Sequence, residues 1–223
     1  MGPHTVLPFL PERLPMTAVD TLSELTERAR ALTGTRSRTM LGLTGAPGSG
    51  KSTLARDLVE ALTPHAVVVP MDGFHLSQGE LVRLGRQERK GAPDTFDAAG
   101  YVALLRRLRR PGPDVVYAPA FDRDIEEPVA GSIPVAPDTP LVITEGNYLL
   151  LDDGAWSGVR ENLDEVWFLE VDPELRIERL VTRHVRHGKR PDAARAWVTG
   201  SDEINATVVG TTRAAADLVV TIA

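Results

Sequence analysis

Residues Gly45-Ala46-Pro47-Gly48-Ser49-Gly50-Lys51-Ser52-Thr53 fit the pattern G-x-x-x-x-G-K-[ST], with Gly45, Gly50, Lys51 and Ser52 at its fixed positions. Each residue type has a chemical reason. Glycines let the backbone curl with its N–H groups turned inward, around a phosphate oxygen. Lys51 adds a mobile positive charge for β- and γ-phosphates, and the Ser52 hydroxyl can ligate magnesium. The context fits as well. Thr39 to Thr44 reads as a short buried strand running into the loop. After the loop, Leu54, Leu58, Ala61 and Leu62 recur at helical spacing until Pro64 stops the helix. The helix N-terminus then faces the phosphates, where its dipole favours negative charge. Strand, glycine loop and helix in that order commit this stretch to an α/β unit.

A chain of 223 residues suits one α/β domain, and 42% hydrophobic residues can build a full core. The formal charge of −6 and the 5% aromatic content argue against a nucleic-acid surface. An anionic nucleotide must therefore be held by local positive charge. There is no cysteine, which excludes disulfides, a thiol nucleophile and a thiolate metal site. No apolar run approaches membrane-spanning length, so no membrane partner is expected. Met1 to Pro15 holds four prolines and no basic region followed by an apolar run, so it does not read as a signal peptide. Met1-Gly2 opens like a myristoylation site, but Val6 breaks the match. The expected location is the cytoplasm.

In chain order, residues 1–15 read as an extended lead. An amphipathic helix is expected over 17–34, with Val19, Leu22, Leu25, Ala29 and Leu32 on its stripe. Ala66 to Asp72 is an apolar run of the kind buried in a parallel sheet, and Pro70 places it at an edge or ends it early. Asp72 follows that strand, where ligands bind in open α/β sheets. It can be a general base, a metal-linked carboxylate or the start of an Asp-Gly turn. Residues 77–96 are polar, and a helix from about Asp97 carries Tyr101, Leu104, Leu105 and Leu108. Asp114 to Tyr117 reads as a strand, and residues 125–136 alternate around Gly131 as a small hairpin. Leu141 to Thr144 is a core strand that brings Glu145 to the same sheet end as Asp72. Two carboxylates beside a phosphate loop suit magnesium handling and proton transfer. Asp164 to Val171 is a further strand, and Asp172-Pro173 starts a helix that runs to about His187. On that helix Arg179, Arg183 and Arg186 share one face. The stripe is either a solvated surface or a lid, about 179–192, that brings arginines onto transferring phosphate, and the phosphate loop favours the lid. Residues 191–208 are helical in pattern, and Asp217 to Ile222 closes as a last strand.

Five stretches together resemble one kinase group: Gly45 to Thr53, Met71 to His75, Gly91 to Asp97, Tyr117 to Arg123, and Thr144 to Tyr148. The group is the P-loop kinases that include uridine kinase, phosphoribulokinase and bacterial pantothenate kinase. The chain is most similar to the bacterial nucleoside/nucleotide-kinase-like members, some described as fructose-transport-associated kinases. The resemblance spans roughly residues 20–223. It implies a single domain over 1–223 with the α/β, three-layer P-loop NTPase fold, a mainly parallel five-stranded sheet and a helical lid. It implies ATP and magnesium, and transfer of the γ-phosphoryl group to a hydroxyl of a nucleoside, sugar or pantothenate-like alcohol.

By position in the motifs, Asp72 matches the catalytic base, Lys51 the phosphate lysine, and Arg183 the lid arginine, with Arg179 beside it. Gly45 to Thr53 hold ATP. Ser52 and Glu145 match the metal side. His75, Asp94, Tyr117, Arg123 and Asn147, with Asp72, fall where acceptor residues are expected. Phe96-Asp97 stands well downstream of Asp72, as in pantothenate kinase and unlike uridine kinase, while pantothenate kinases are longer chains. The acceptor therefore stays open, and so does the oligomeric state, a homodimer included. A competing reading is a P-loop NTPase switch or nucleotide-dependent chaperone acting on a protein. The chain carries no Asn/Thr-Lys-x-Asp guanine motif, and an arginine-bearing lid favours group transfer over hydrolysis.

Overall fold

The computed structural model describes residues 21–34 and 37–221. The expected lead over 1–15, the first residues of the 17–34 helix, and Ile222 lie outside the described residues. The strands in chain order are β1 (Thr39–Thr44), β2 (Ala66–Pro70), β3 (Val116–Asp122), β4 (Glu127–Val135), β5 (Leu141–Glu145), β6 (Glu165–Glu170) and β7 (Leu218–Thr221). The helices are α1 (Leu22–Leu32), α2 (Lys51–Leu62), α3 (Gln78–Leu84), α4 (Ala98–Arg109), α5 (Ser157–Arg160), α6 (Pro173–Arg186), α7 (Pro191–Trp197) and α8 (Glu203–Gly210).

Five strands form one parallel sheet in the order β2-β5-β1-β6-β7. Both β1 and β5 are buried along their whole length, which is why they read as unbroken apolar runs rather than alternating ones. Successive side chains point to opposite faces, so the sheet carries two cores. Leu41, Leu43 and Trp167 face α1 and α2 through Leu25, Ala29, Leu54 and Leu58. Met40, Val142 and Phe168 face α4 through Tyr101, Leu105 and Leu108. The result is the three-layer α/β architecture expected from the sequence. Among the described residues, no helix is long and apolar enough to cross a membrane.

Register explains where the chemistry collects. Glu145 stands beside Leu43 of β1 on one side and Pro70 of β2 on the other. The three chains therefore leave the sheet side by side, into the phosphate loop, the Met71–Phe74 turn and Glu145. Pro70 ends β2, an edge strand where a residue without an N–H leaves no central ladder bond unmade.

One expectation is corrected. The strand expected at 114–117 does not join the sheet. It begins at Val116 as β3 and pairs antiparallel with β4, from Val116 opposite Val135 to Asp122 opposite Glu127. The hairpin expected over 125–136 is thus one arm of a longer ribbon. The ribbon is bulged near Gly131: the register slips between Ala118 and Ala120, and Gly131 has φ +72. The polar stretch 77–96 also holds more structure than its composition suggests. It contains α3, N-capped by Ser77, and two short turns at Gln87–Arg89 and Pro93–Thr95.

Candidate active site

The phosphate loop links β1 to α2 through three glycines with positive φ: Gly45 at +147, Gly48 at +82 and Gly50 at +94. Two of them also lack room for a side chain. A Cβ on Gly45 would lie 2.6 Å from the Leu169 carbonyl oxygen, and one on Gly48 would lie 2.8 Å from Leu180 Cγ. The loop is therefore pressed between β6 and α6. Gly50 is the N-cap of α2, whose first turn holds no acid, so its N–H groups and dipole remain directed at an anion.

The Lys51 ammonium is buried and folds back over the loop. It donates to the carbonyl oxygens of Gly45 at 2.8 Å and Ala46 at 3.0 Å, with Ser49 Oγ at 3.5 Å. Burial pushes it down to about 8, against the pull of Glu145 and Asp72. Ser52 Oγ donates to Glu145 Oε1 at 3.0 Å. Burial, then the neighbouring Asp72 charge, pushes the buried Glu145 carboxyl above its usual range, while Lys51 and Ser52 act the other way. A hydroxyl and a carboxylate at this spacing are hard oxygen donors of the kind magnesium takes alongside nucleotide phosphates. Among the described residues no group of three or more His, Cys, Asp or Glu gathers as a metal cage. Magnesium held mainly by phosphates and water needs none.

A cleft of about 810 Å³ opens from the loop. Asp72, His75, Arg123, Glu145, Asn147, Arg179 and Arg183 all line it, so the structure brings most of the sequence-predicted residues together. Asp72 sits on the turn after β2, and Arg123 NH2 donates to its Oδ2 at 3.3 Å. Gly73 allows this. A Cβ there would lie 2.4 Å from the Pro119 carbonyl, so only glycine lets the β3–β4 ribbon carry Arg123 against Asp72. The ring Nδ1–H of His75 donates to the Asp72 carbonyl at 2.8 Å, and burial between Phe96 and Phe121 lowers the proton affinity of the ring. Thr44 Oγ1 donates to the Asn147 carbonyl at 3.1 Å, tying the β5 exit to the β1 exit.

Helix α6 starts where the sequence indicates. The Asp172 side chain accepts from the N–H groups of Glu174 at 2.9 Å and Leu175 at 3.1 Å, with Pro173 in the first turn. The helix passes over the phosphate loop. Arg179 and Arg183 line the cleft, and among the described residues neither guanidinium has an ion-pair partner. Burial, then the like charge of Arg123, holds Arg183 below its ordinary value, the condition of a cation placed to meet an anion. Arg186 does not line the cleft.

Two expected acceptor residues stand elsewhere. Tyr117 is 59% exposed on the outer face of the ribbon, because its neighbours Val116 and Ala118 take the inner face. Asp94 lies behind the cleft wall. Its carboxylate accepts from Arg89 at 2.6 Å and pairs with Arg86 at 3.3 Å, which fixes the segment that presents Gln87, Glu88 and Lys90 to the cleft.

Sequence reasoning also missed residues. Arg176 is buried, donates to the Pro47 carbonyl at 3.3 Å and forms an ion pair with Glu203, so it clamps the loop to α8. It lies at i−3 from Arg179 and i−7 from Arg183, so the stripe spacing held the signal. His184, Asp202 and Asn205 line the cleft as well. The pairing of His184 Nε2 with Asp202 Oδ2 at 3.0 Å depends on a π-helical turn, Val198–Asp202, that no residue pattern announces.

The chain is similar to several known proteins. A protein of Schizosaccharomyces pombe, provisionally named a uridine kinase, is 37% identical over 179 residues, covering 76% of this chain and 76% of its own. An ATP-dependent kinase-like protein of Aspergillus versicolor is 38% identical over 145 residues, covering 61% of this chain and 84% of its own. A crystal structure from Silicibacter sp. TM1040, provisionally described as a fructose transport system kinase, superposes with a TM-score of 0.82 at 40% identity. It covers 90% of this chain and 98% of that one. No family model matches the chain.

Proposed function

The chain belongs to the uridine kinase-like P-loop kinases, and we propose that it transfers the γ-phosphoryl group of ATP to a hydroxyl of a small molecule. The observation that carries this reading is the place of Asp72. It lines the same cleft as Lys51 and the phosphate loop, a cleft of about 810 Å³.

Asp72 accepts the proton of the attacking hydroxyl as its oxygen bonds to the γ-phosphorus, while the bond to the β–γ bridging oxygen breaks. Arg123, at 3.3 Å, orients that carboxylate. Lys51 leaves the loop carbonyls for the phosphates, and Arg179 and Arg183 approach the same oxygens from α6. Fixed cations in a site poor in water stabilise the charge that shifts during transfer. Ser52 and Glu145 would hold magnesium, which supplies charge neutralisation across the β- and γ-phosphates. Closure of α6 and α7 over the cleft keeps water from competing with the acceptor.

The names of the relatives point to different acceptors, uridine in one case and a fructose transport system in another. The test measures ATP turnover with and without a panel of sugars, nucleosides and pantothenate-like alcohols. An acceptor should raise turnover well above the acceptor-free rate and appear as a phosphate ester. Turnover indifferent to every acceptor would favour an NTPase switch.

A further inference from the structure

The part of the cleft lined by α8 and the turn before it holds groups that phosphoryl transfer does not use. Asn205, on α8, is 4% exposed yet lines the cleft. Among the described residues its carboxamide has no hydrogen-bond partner. Its Nδ2 would lie 3.8 Å from a Cβ placed on Gly91, so it stands across from the segment that forms the opposite wall. A buried amide without a partner is destabilising on its own, and a ligand group that both donates and accepts removes the cost. One turn earlier stands Asp202, also buried, its Oδ2 held 3.0 Å from His184 Nε2.

Three of the cations that line the cleft are held by other groups. Lys90 donates to the Glu126 carbonyl at 2.7 Å and lies 5.1 Å over the Phe121 ring. Arg123 pairs with Asp72 at 3.3 Å. Lys189 lies 4.7 Å over the Trp197 ring. Arg179 and Arg183 line the same cleft, but in the kinase reading they go to the nucleotide phosphates. An acceptor carboxylate or phosphate beside Asn205 would lie near the buried Asp202 carboxylate, and burying like charges together is costly.

We propose that this part of the cleft recognises a neutral, polyhydroxylated acceptor, with the Asn205 carboxamide and the Asp202 carboxylate reading adjacent hydroxyls. Asn205 is then a specificity residue and takes no part in the proton transfer. The inference rests on the kinase reading and narrows it, since a pantothenate-like acid is excluded.

The test uses the full chain with ATP and magnesium. Initial rates are measured for free pentoses, hexoses and alditols against matched acids and phosphates such as gluconate, glycerate and fructose 6-phosphate. Neutral polyols should turn over, and each matched anion should be at least about tenfold poorer in kcat/KM. Asn205→Leu should raise the acceptor KM by about ten- to a hundredfold and leave the KM for ATP unchanged. That penalty should vanish with the deoxy analogue lacking the hydroxyl that Asn205 reads, which a merely structural effect would not do. If Asn205→Leu does not fold, Asn205→Ser is measured in the same way. A preference for the anions, an unchanged acceptor KM, or an equal penalty with every deoxy analogue overturns the inference while the kinase reading stands. Turnover with no acceptor of either kind overturns both.

Discussion

Nucleotide binding should drive a proton onto Lys51 at alkaline pH. In the free protein Nζ is buried against the carbonyls of Gly45 and Ala46, and burial pushes it from 10.5 to about 8. The difference is worth about 3 kcal/mol against the charged form. Phosphate oxygens brought to Nζ supply the missing counter-charge and restore the ammonium. At pH 8.5 about a quarter of the free protein carries a charged Lys51, so binding takes up about three quarters of a proton. The terminal phosphate of ATP is already ionised at that pH and adds little. Titration calorimetry in two buffers of different ionisation enthalpy reads the uptake directly. The wild type should take up about 0.7 proton and Lys51→Met close to none. Zero uptake by the wild type would refute the argument that burial discharges this lysine. The sign for stability follows from the same depression. The unfolded chain holds more protons between pH 8 and 10.5, so the contribution of Lys51 to nucleotide-free stability rises with pH across that window.

Three further outcomes follow from named contacts. Gly48→Ala forces a side chain at φ +82 to within 2.8 Å of Leu180 and 3.0 Å of the Arg176 carbonyl. It should cost about 1–3 kcal/mol, read as a lower Tm, and weaken the stabilisation that ATP confers; an unchanged Tm would mean α6 does not press on the loop. Arg183→Ala should lower kcat by about 10²-fold, and Arg183→Lys should stay impaired because an ammonium cannot reproduce the guanidinium fork; wild-type rates in both variants would return the arginine stripe to a solvated surface. Tyr117→Ser should leave the KM values for ATP and acceptor unchanged, since the side chain is 59% exposed outside the cleft, and a raised acceptor KM would restore it to the site.

The sheet was legible because its central strands are buried on both faces, and Leu141 to Glu145 or Thr39 to Thr44 has no other use for so many adjacent apolar residues. The loop was legible because its glycines answer a local backbone demand. Asp72 and Glu145 followed, since residues just beyond parallel strands meet at one sheet edge. Tyr117 shows where this reasoning stops. Its motif position matched an acceptor residue, but β3 leaves the sheet, and alternation along a ribbon turned the ring outward. Asp94 stands outside the cleft lining for a related reason, because its arginine partners come from the folding of the 86–94 segment on itself. Asn205 and Asp202 depend on a π turn between two helices, a feature that periodicity blurs.

The central claim is that Asp72 takes the acceptor proton while Glu145 serves the metal side, and one paired measurement separates them. Nucleotide affinity, kcat and a magnesium titration are recorded for Asp72→Asn and Glu145→Gln with the best acceptor. Asp72→Asn should bind ATP with magnesium nearly as the wild type does and lose about 10²–10⁴-fold in kcat. Glu145→Gln should shift the magnesium dependence. If Asp72→Asn moves only the magnesium requirement while Glu145→Gln abolishes turnover, the two carboxylates hold the opposite roles and the account is wrong.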